Sequence, residues 1–438
     1  MRILASAYAC EPNPGSELGK GWNFASELAR QGHDVTVLTC GSHHRSAIER
    51  YCEKQQLPDR LSFVWHDVPG WPGPGYENAH RIRQHYYMWQ MTARRTVARL
   101  HAENPYDVIH HLTWTVLRWP SFLGGLGPRF VFGPVGGGQG TPWRLRRGFP
   151  NRGWRFEIKR DLLNICSRVD PMVLRSLARA DAILVADEAT GRHVPAWWRD
   201  KTFLVADIYA PPICVGDARP SPDLATGPSI LFAGRLEYWK GVQFALGAVA
   251  RLREQIAGLS FTIAGEGPEE GYLRSIAEEL GIRDMVRFVG KIPHVEMHSI
   301  YAAHDVLLFP SLHDTAGQVV GEAMAHGLPV VCLDLGGPGL AVDASCGVVV
   351  STRARHRAAV EQDLADALAR IVTDAGRLAT LKDGALKRAC RYSYQQRVND
   401  IVERFYKSPS PKASRLAVRC EHVVDRHDCN EPDMLMPE

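Results

Sequence analysis

Several features that would place this 438-residue chain in a membrane or outside the cell are missing from its sequence. No apolar run reaches the roughly 18 residues that a spanning helix needs, which excludes a transmembrane segment. The start does not resemble a secretory signal, because its short apolar run breaks at Glu11 and Pro12. With 45% hydrophobic and 23% charged residues, the chain is also not a disordered one. We therefore predict a globular cytoplasmic protein.

Motifs for several chemistries are missing as well. No nucleic-acid-binding motif occurs, which argues against nucleic acid as a partner. Lysines are few, and none is clearly placed to hold a pyridoxal phosphate. The ten cysteines are scattered singly, which predicts reduced, mostly buried thiols. One group in the carboxyl-terminal tail has metal-ligating side chains, but its spacing matches no standard zinc module: Cys420, His422, His427 and Cys429.

What the sequence does contain is an alternation of short apolar runs with amphipathic stretches, the pattern of β–α units and parallel sheets. The predicted strands of the first half are 2–8, 34–39, 61–65, 107–110, 130–132 and 182–185. Those of the second half are 229–233, 260–264, 286–289, 306–309, 329–332 and 347–349. The main predicted helices are 17–30, 78–102, 242–254, 269–280, 317–325 and 394–406.

The cycle of strands and helices runs twice, which predicts an α/β protein with two doubly wound, Rossmann-like domains facing each other across a cleft. Residues 1–210 form the first predicted domain, a proline-rich linker spans 211–227, and residues 228–391 form the second. Residues 392–407 are predicted to return as a helix to the first domain. From 408 to 438 the periodicity is lost, which predicts a disordered tail.

The strongest chemical signal follows the first strand of the second domain. In LFAGRLEYWKG, the loop after Gly234 carries Arg235 and Lys240. Arginine binds oxygens in pairs and lysine supplies a point charge, so two cations at this sheet edge suit a diphosphate. The alternative is that both are ordinary solvated charges.

A second signal lies in FPSLHDTAGQVVGEAMAHG, where Asp314 follows a strand and a helix begins near Gly317. The amides of Gly317, Gln318 and Val319 would form a helix amino terminus able to receive phosphate. Glu322, further along the helix, suits the hydroxyls of a ribose, and Asp314 suits the hydroxyls and developing charge of a sugar. The alternative makes Asp314 a helix cap and Glu322 a surface charge.

Together these residues resemble glycosyltransferase family 4, the retaining enzymes with the GT-B fold. The resemblance covers about residues 1–405 and implies that the first domain binds an acceptor and the second a nucleotide-sugar donor. It assigns Arg235 and Lys240 to the donor diphosphate. The spacing of Asp314 and Glu322 matches the family's two carboxylates, although the family commonly has Glu at the first position. It also implies that no metal is required, and no Asp-x-Asp motif lies near these loops.

The resemblance extends to the first domain. In EPNPGSELGKGW, Gly15, Ser16 and Glu17 match the family's glycine loop beside the donor phosphates, with Ser16 as a natural helix N-cap. His110 and His111 end the fourth strand, where the family often has a histidine that contacts sugar. Strand residues alternate faces, so only one can point into the cleft, and we favour His111.

Two glycine-rich stretches imitate nucleotide-binding motifs without matching them. GEGPEEG follows a strand but lacks the dinucleotide spacing, and the resemblance places its Glu266 near the nucleotide. FGPVGGGQGTP lacks the Gly-Lys-Ser/Thr of a P-loop. It is too rich in glycine for a strand, which predicts an acceptor-side loop.

The first 200 residues carry more Lys and Arg than Asp and Glu, whereas the remainder is net acidic. Two segments, 142–160 and 81–95, mix basic with aromatic residues, a combination typical of contact with anionic lipid headgroups. Such charge runs are more commonly plain solvated faces. We predict peripheral contact with the inner face of the cell membrane.

These observations predict a retaining transfer of a hexose from a nucleotide diphosphate sugar to an acceptor hydroxyl. A lipid-linked saccharide or polysaccharide intermediate is the favoured acceptor. Two alternatives stay open: a sugar-nucleotide epimerase on the same fold, and a binder that keeps the nucleotide site without turnover.

Overall fold

The computed structural model of the chain describes residues 1–12, 16–71, 73, 79–212 and 227–407. Gly15, most of the predicted linker and the predicted tail with its cysteine and histidine group lie outside these residues. Among the described residues, the cysteines are free thiols, and they divide between buried and exposed positions. No helix in the described part of the chain is long and apolar enough to cross a bilayer.

The first domain is built on a seven-stranded parallel sheet with the order β3-β2-β1-β4-β5-β6-β7. Its strands are β1 (Arg2–Ala7), β2 (Asp34–Cys40), β3 (Leu61–His66), β4 (Val108–Thr113), β5 (Arg129–Val135), β6 (Ala182–Val185) and β7 (Thr202–Leu204). Its helices are α1 (Ser16–Arg30), α2 (Gly41–Cys52), α3 (Ala79–Glu103), α4 (Asn151–Ser167), α5 (Pro171–Arg179) and α6 (Glu188–Gly191). Helices cover both faces of the sheet, so its central strands are buried on both sides and appear in the sequence as continuous apolar runs.

The second domain repeats this plan on a six-stranded parallel sheet with the order β10-β9-β8-β11-β12-β13. Its strands are β8 (Ser229–Ala233), β9 (Ser260–Ala264), β10 (Val286–Gly290), β11 (Val306–Phe309), β12 (Val330–Leu333) and β13 (Gly347–Val350). Its helices are α7 (Val242–Leu252), α8 (Glu270–Glu279), α9 (Met297–Ala302), α10 (Gln318–Ala325), α11 (Pro338–Ala341), α12 (Arg357–Val372) and α13 (Ala375–Arg391). In both sheets the strand order reverses beside the first strand, which opens a crevice at the carboxyl ends of the strands.

Two departures from the sequence prediction concern strands. The prediction omitted β7, a three-residue edge strand too short to give a periodic signal. It also excluded strand structure from FGPVGGGQGTP, whereas β5 continues through Gly133 to Val135. A Cβ at Gly133 would lie 2.2 Å from the carbonyl oxygen of Leu184, so glycine is what lets β5 approach β6 there.

The last described helix, α14 (Tyr394–Ile401), continues into a π-helical turn, Val402–Tyr406. Both pack into the apolar core of the first domain beside α1. Phe405 contacts Phe203, with ring centroids 5.0 Å apart, and the hydroxyl of Tyr406 lies 2.5 Å from Nδ1 of His110. The end of the described chain therefore completes the core of the domain that begins it.

The chain crosses between the domains twice, and the two crossings lie side by side. The amide of Ala210 donates to the carbonyl of Tyr392, and the rings of Tyr209 and Tyr394 stack 4.5 Å apart. Just before the first crossing, a buried ion pair of 2.6 Å joins Lys20 of α1 to Asp207. These contacts fix the point about which the domains are joined.

Candidate functional site

A cavity of about 690 Å³ opens at the carboxyl ends of β8 and β9. Four residues that were predicted for the donor site line this cavity: Arg235, Glu266, Val319 and Glu322. Lys291 and Tyr301 line it as well. The turn after β9 lies close to the turn after β8, because a Cβ at Gly265 would be 1.9 Å from the carbonyl oxygen of Gly234. Only glycine permits this approach, and it brings Arg235 and Glu266 to the same cavity.

Arg235 is poised at the mouth of this cavity. Its side chain is 76% exposed and donates one hydrogen bond of 2.9 Å to Glu237, a buried carboxylate. Glu266 is also exposed, with one oxygen 3.9 Å from Nζ of Lys291. Arg235 thus retains most of its donors for an anionic ligand.

Lys240 does not line the cavity but forms a cluster beside it. Its ammonium group is ion-paired with Asp314 and lies 5.2 Å from the centre of the Phe309 ring. The other oxygen of Asp314 accepts the amide of Gly317 at 3.1 Å, just before α10 begins. Gly317 is the N-cap of α10, so Asp314 is not the N-cap that the alternative made it. Its carboxylate binds the amide of Gly317 and holds the lysine of the predicted diphosphate site.

Glu322 is not the surface charge that the alternative supposed. Its carboxylate accepts the hydroxyl of Tyr301 at 2.7 Å and lies 3.5 Å from Nε2 of His294. Burial alone would raise the pKa of Glu322, but the hydrogen bonds from His294 and Tyr301 outweigh it and lower the pKa. The hydrogen bond between Glu322 and His294 in turn raises the pKa of His294. Glu322 is thus held as a charged acceptor, and it also lines a second cavity of about 480 Å³ next to the domain crossing.

The amino end of α10 faces this region, and α10 begins one residue later than predicted, at Gln318. The amide of Val320 donates to the carbonyl of Gly317 at 2.8 Å, so the amides of Gln318 and Val319 are the ones at this end that have no partner within the helix. The side chain of Gln318 is engaged elsewhere: it accepts from the amide of Tyr209 and donates to the carbonyl of Asp207. Gln318 therefore contributes only its backbone to the predicted phosphate site and ties α10 to the crossing.

In the amino-terminal glycine loop, α1 begins at Ser16, so Ser16 is a helical residue rather than the predicted N-cap. Gly15 lies outside the described residues. Glu17 accepts a hydrogen bond from Thr115, which follows β4.

Both strand-end histidines are fully buried, so the prediction that His111 points into an open cleft is wrong for this structure. His110 lies between Tyr406 and the carbonyl of Gly133, 2.5 Å from each. His111 lies under Tyr86 and Trp114, because β4 runs on to Thr113 instead of ending at the histidines. Burial lowers the pKa of His110 to about 3 and that of His111 to about 4. Both rings are therefore neutral near pH 7.

A polar network that the sequence analysis missed joins the two domains beside Lys240 and Asp314. Glu157 of α4 has no exposed surface, and its Oε1 accepts from Tyr238 at 3.1 Å and from Nε2 of His313 at 2.8 Å. Burial would raise the pKa of Glu157, but His313, the Thr141 amide and Arg146 together hold it at about 2.

The network has a further link nearby, where Gln139 of the first domain donates to the hydroxyl of Thr315 at 2.9 Å. One signal for it was available, since Glu157 is the only acidic residue in the basic segment 142–160. Its partners, in contrast, are distant in the chain and could not be paired from sequence.

Away from this site, Glu11, His43 and His44 place their ligand atoms within 4.8 Å of one another. His44 is buried, and its Nδ1 lies 2.8 Å from Oε1 of Glu11, a distance that a hydrogen bond accounts for. Within the described residues this is the one group of three such side chains.

Two family profiles match the chain. The family described as Glycosyl transferases group 1 matches residues 218–388, and the Glycosyl transferase 4-like domain matches residues 22–205. The chain is 41% identical over 118 residues to glycogen synthase of Mycobacterium tuberculosis, which covers 27% of this chain and 28% of that protein. It is 36% identical over 181 residues to D-inositol 3-phosphate glycosyltransferase of Stackebrandtia nassauensis, or 39% and 40% of the two chains. The matches thus span less than half the length of these relatives.

Solved structures with the same fold cover almost the whole chain. Sucrose-phosphate synthase from Thermosynechococcus elongatus matches with a TM-score of 0.60 at 17% identity, over 92% of this chain and 97% of that one. The Anabaena protein HepE, solved in complex with UDP and glucose, matches with a TM-score of 0.54 at 16% identity, over 92% and 98%. At such identities the likeness establishes a shared two-domain architecture.

Proposed function

Because the chain belongs to the family 4 type of glycosyltransferases, with the GT-B fold, we propose that it transfers a hexose from a nucleotide diphosphate sugar to an acceptor hydroxyl. The observation that carries this proposal is the shared cavity of Arg235, Glu266, Val319 and Glu322, with Lys240 and Asp314 beside it. It combines cations, a helix amino end and a carboxylate at the switch point of a parallel sheet, which suits a nucleotide with a diphosphate.

In this proposal the positive groups stabilise the leaving diphosphate. As the bond from the sugar to the diphosphate breaks, negative charge grows on the phosphate oxygens, and preplaced donors lower the energy of that transition state. Arg235 supplies an exposed guanidinium, Lys240 a partly buried ammonium, and Gln318 and Val319 the amides of a helix amino end. With these groups neutralising the charge, we propose that transfer needs no divalent metal.

The two carboxylates have separate parts. Glu322, charged and aimed into the cavity, accepts hydrogen bonds from the ribose hydroxyls, for which it exchanges Tyr301 or His294. Asp314 shares Lys240 with the diphosphate and positions the sugar. The proposed retention of configuration at the sugar carbon follows the family resemblance, and NMR of freshly formed product would report it. The proposal leaves His111 no contact with substrate unless Trp114 moves.

The acceptor that we propose is a lipid-linked saccharide used in polysaccharide assembly. The support for it is the net positive charge of the first domain and the exposed apolar side chains of its helix α4, which would hold the chain against an anionic membrane on its cytoplasmic side.

The test uses two matched arginines of the second domain. Arg235 and Arg283 are both 76% exposed and both paired with a nearby glutamate, but Arg283 lies away from the cavity. We expect Arg235→Ala to lower donor turnover at least about 100-fold, the scale on which a transition-state donor acts. Arg283→Ala should leave turnover unchanged, and neither variant should shift the melting temperature. Turnover is measured as release of nucleoside diphosphate. Equal rates in the two variants would contradict the assignment.

The donor and the metal question are tested with the same protein. A thermal-shift screen with UDP, GDP and ADP should show that one of the three nucleotides stabilises the protein more than the others.

In the metal test, EDTA should leave turnover intact. A loss that Zn²⁺ or Mn²⁺ restores would contradict the metal-free proposal, and His43→Gln would then show whether the group of Glu11, His43 and His44 is responsible.

A further inference from the structure

Helices α4 and α5 present an exposed apolar face that nothing in the described part of the chain covers. Large apolar side chains usually lie inside a monomer, and a contiguous exposed group of them marks an interaction surface. Here four of them recur at helical spacing on one side of α4 and the turn after it: Ile158, Leu162, Ile165 and Val169. Phe156, Leu163 and Met172 flank these four, and the ring of Phe156 lies 6.4 Å from that of Tyr238 in the second domain. Ile165 is 61% exposed and Val169 is 75% exposed. A helix that only covered one face of the sheet would be expected to expose polar side chains at these positions.

Exposed apolar side chains also occur on α3. Tyr87 is exposed, as are Met88 and Met91 on the same helix. We call the exposed apolar set on α4, on α5 and on the turn between them the apolar face.

The charge around the apolar face is mainly positive. Exposed cations lie among its residues on α4 and α5: Arg152, Arg155, Lys159, Arg168 and Arg175. The acidic residues of the same stretch are withdrawn from solvent or engaged. Glu157 is buried, Asp161 is paired with Arg146, and Asp170 caps α5. The surface is therefore apolar at its centre and cationic at its edges.

The exposed apolar residues differ from the aromatic ones that the sequence analysis predicted to contact a membrane. Within 142–160, Phe149 is buried and Trp154 packs against Trp143. Within 81–95, Tyr86 and Trp89 belong to the core. Of the aromatic residues in the two predicted segments, Phe149, Tyr86 and Trp89 are thus buried, whereas Trp143, Phe156 and Tyr87 are exposed. The other exposed apolar side chains of this region are mainly the aliphatic ones of α4.

We propose that the apolar face docks on a lipid bilayer that carries anionic headgroups. The aliphatic side chains of α4 would enter the headgroup boundary, and the surrounding Arg and Lys would bind phosphates. A second copy of this chain is a poorer occupant, because an isologous contact would set the cationic edge against itself. The inference rests on the proposed function only in taking the acceptor to be lipid-linked.

The experiment measures sedimentation of the full chain with vesicles of phosphatidylcholine alone and of phosphatidylcholine with phosphatidylglycerol. One variant combines Leu162→Gln, Ile165→Gln and Val169→Gln, and a second combines Arg155→Gln with Lys159→Gln. The control is Val295→Gln, an 81% exposed apolar residue of the second domain. All of these positions are exposed, so we expect folding to be kept, and the melting temperature checks this.

Wild type and the control should bind the anionic vesicles and bind phosphatidylcholine weakly. Both face variants should bind the anionic vesicles roughly tenfold less or weaker still. Binding by wild type that neither face variant reduces, or no binding at all, would overturn the proposal. So would a dimer in sedimentation velocity that the triple variant dissociates. Donor turnover is measured without vesicles and therefore tests the donor site alone. A failure of the proposed transferase activity and a failure of the proposed membrane docking can thus be told apart.

Discussion

Glu157 is a charged side chain without exposed surface, and the residues it binds stand next to the donor site in sequence. Tyr238 lies in the loop that carries Lys240, and His313 directly precedes Asp314. The carboxylate belongs to the first domain, whereas both partners belong to the second. Glu157 thus links the position of the domains to the two loops that hold the lysine and the aspartate, and we assign it a positioning role.

This role predicts that Glu157→Gln lowers kcat for transfer by about tenfold or more with a smaller change in the KM for the donor. The amide would keep the shape of the side chain but would not accept as strongly from His313 and Tyr238. Glu361→Gln is the matched control, since Glu361 is also buried and paired with arginines, Arg251 and Arg357, away from the site. Glu157→Asp should recover part of the loss.

A purely structural role would give another result. In that case Glu157→Gln and Glu361→Gln would lower the melting temperature and activity in parallel, with kcat and KM unchanged in the protein that stays folded.

Whether the structure of a site residue could be predicted depends on how far along the chain the residues that contact it lie. Arg235 was predicted because it follows a strand, and Glu322 because it lies on a helix that follows another strand, since the carboxyl ends of parallel strands meet at one edge. Glu266 was predicted from the family resemblance. The burial of His111 was not predicted, because it depends on Tyr86 of α3 and on Trp114 beyond the strand end. Local pattern reveals a position on a sheet edge, but it does not reveal what packs over that position.

Among the elements, the strands were predictable because parallel strands buried on both faces give continuous apolar runs. The second domain's strands match closely, as in Ser229–Ala233 and Ser260–Ala264. The misses were β7, at the edge of its sheet, and the glycine-bearing end of β5. Glycine there serves a close approach between strands, which composition alone makes look like a loop.

Helix α14 shows an element whose stability comes from the other end of the chain. Ending the chain after Arg391 removes α14 and its turn, and with them Val398, Phe405 and Tyr406 from the first domain's core. Because this opens an apolar groove and leaves His110 without Tyr406, we expect a shortened chain that aggregates or melts at least about 10 °C lower.

Ending the chain after Lys407 is the control, since it keeps all contacts of α14. Circular dichroism melts of both chains decide the matter. Equal melting temperatures would contradict the structural role of α14.

On the scale of the whole molecule, six histidines of the described residues are buried with lowered pKa values, and the pKa is lowered strongly in four of them. Burial is the largest cause in each case, and the pKa is about 4 for His44, His111 and His313 and about 3 for His110. In the unfolded chain a histidine titrates near 6.5. Between about pH 6.5 and 4 the unfolded state therefore binds protons that the folded state does not, so the free energy of unfolding falls as the pH is lowered.

We expect a loss of up to about 1.4 kcal/mol per pH unit for each of these histidines in that window. Urea unfolding at pH 7.5, 6.5, 5.5 and 4.5 measures it. A free energy of unfolding that stays level from pH 6.5 to 4.5 would contradict the neutral, buried state of these rings.

The placement of α14 also has a consequence for synthesis of the chain. The ribosome synthesises β7 about 200 residues before Tyr406. At about 5–20 residues per second, this separation corresponds to roughly 10–40 s. During that interval the nascent first domain has an apolar groove beside α1 that its own translated residues do not fill. The second domain is complete through α13 only about 15 residues, or roughly 1–3 s, before Tyr406, so both domains can finish folding at almost the same time. A chaperone that binds exposed apolar segments would therefore be expected to engage the early part of the polypeptide until translation of α14 ends.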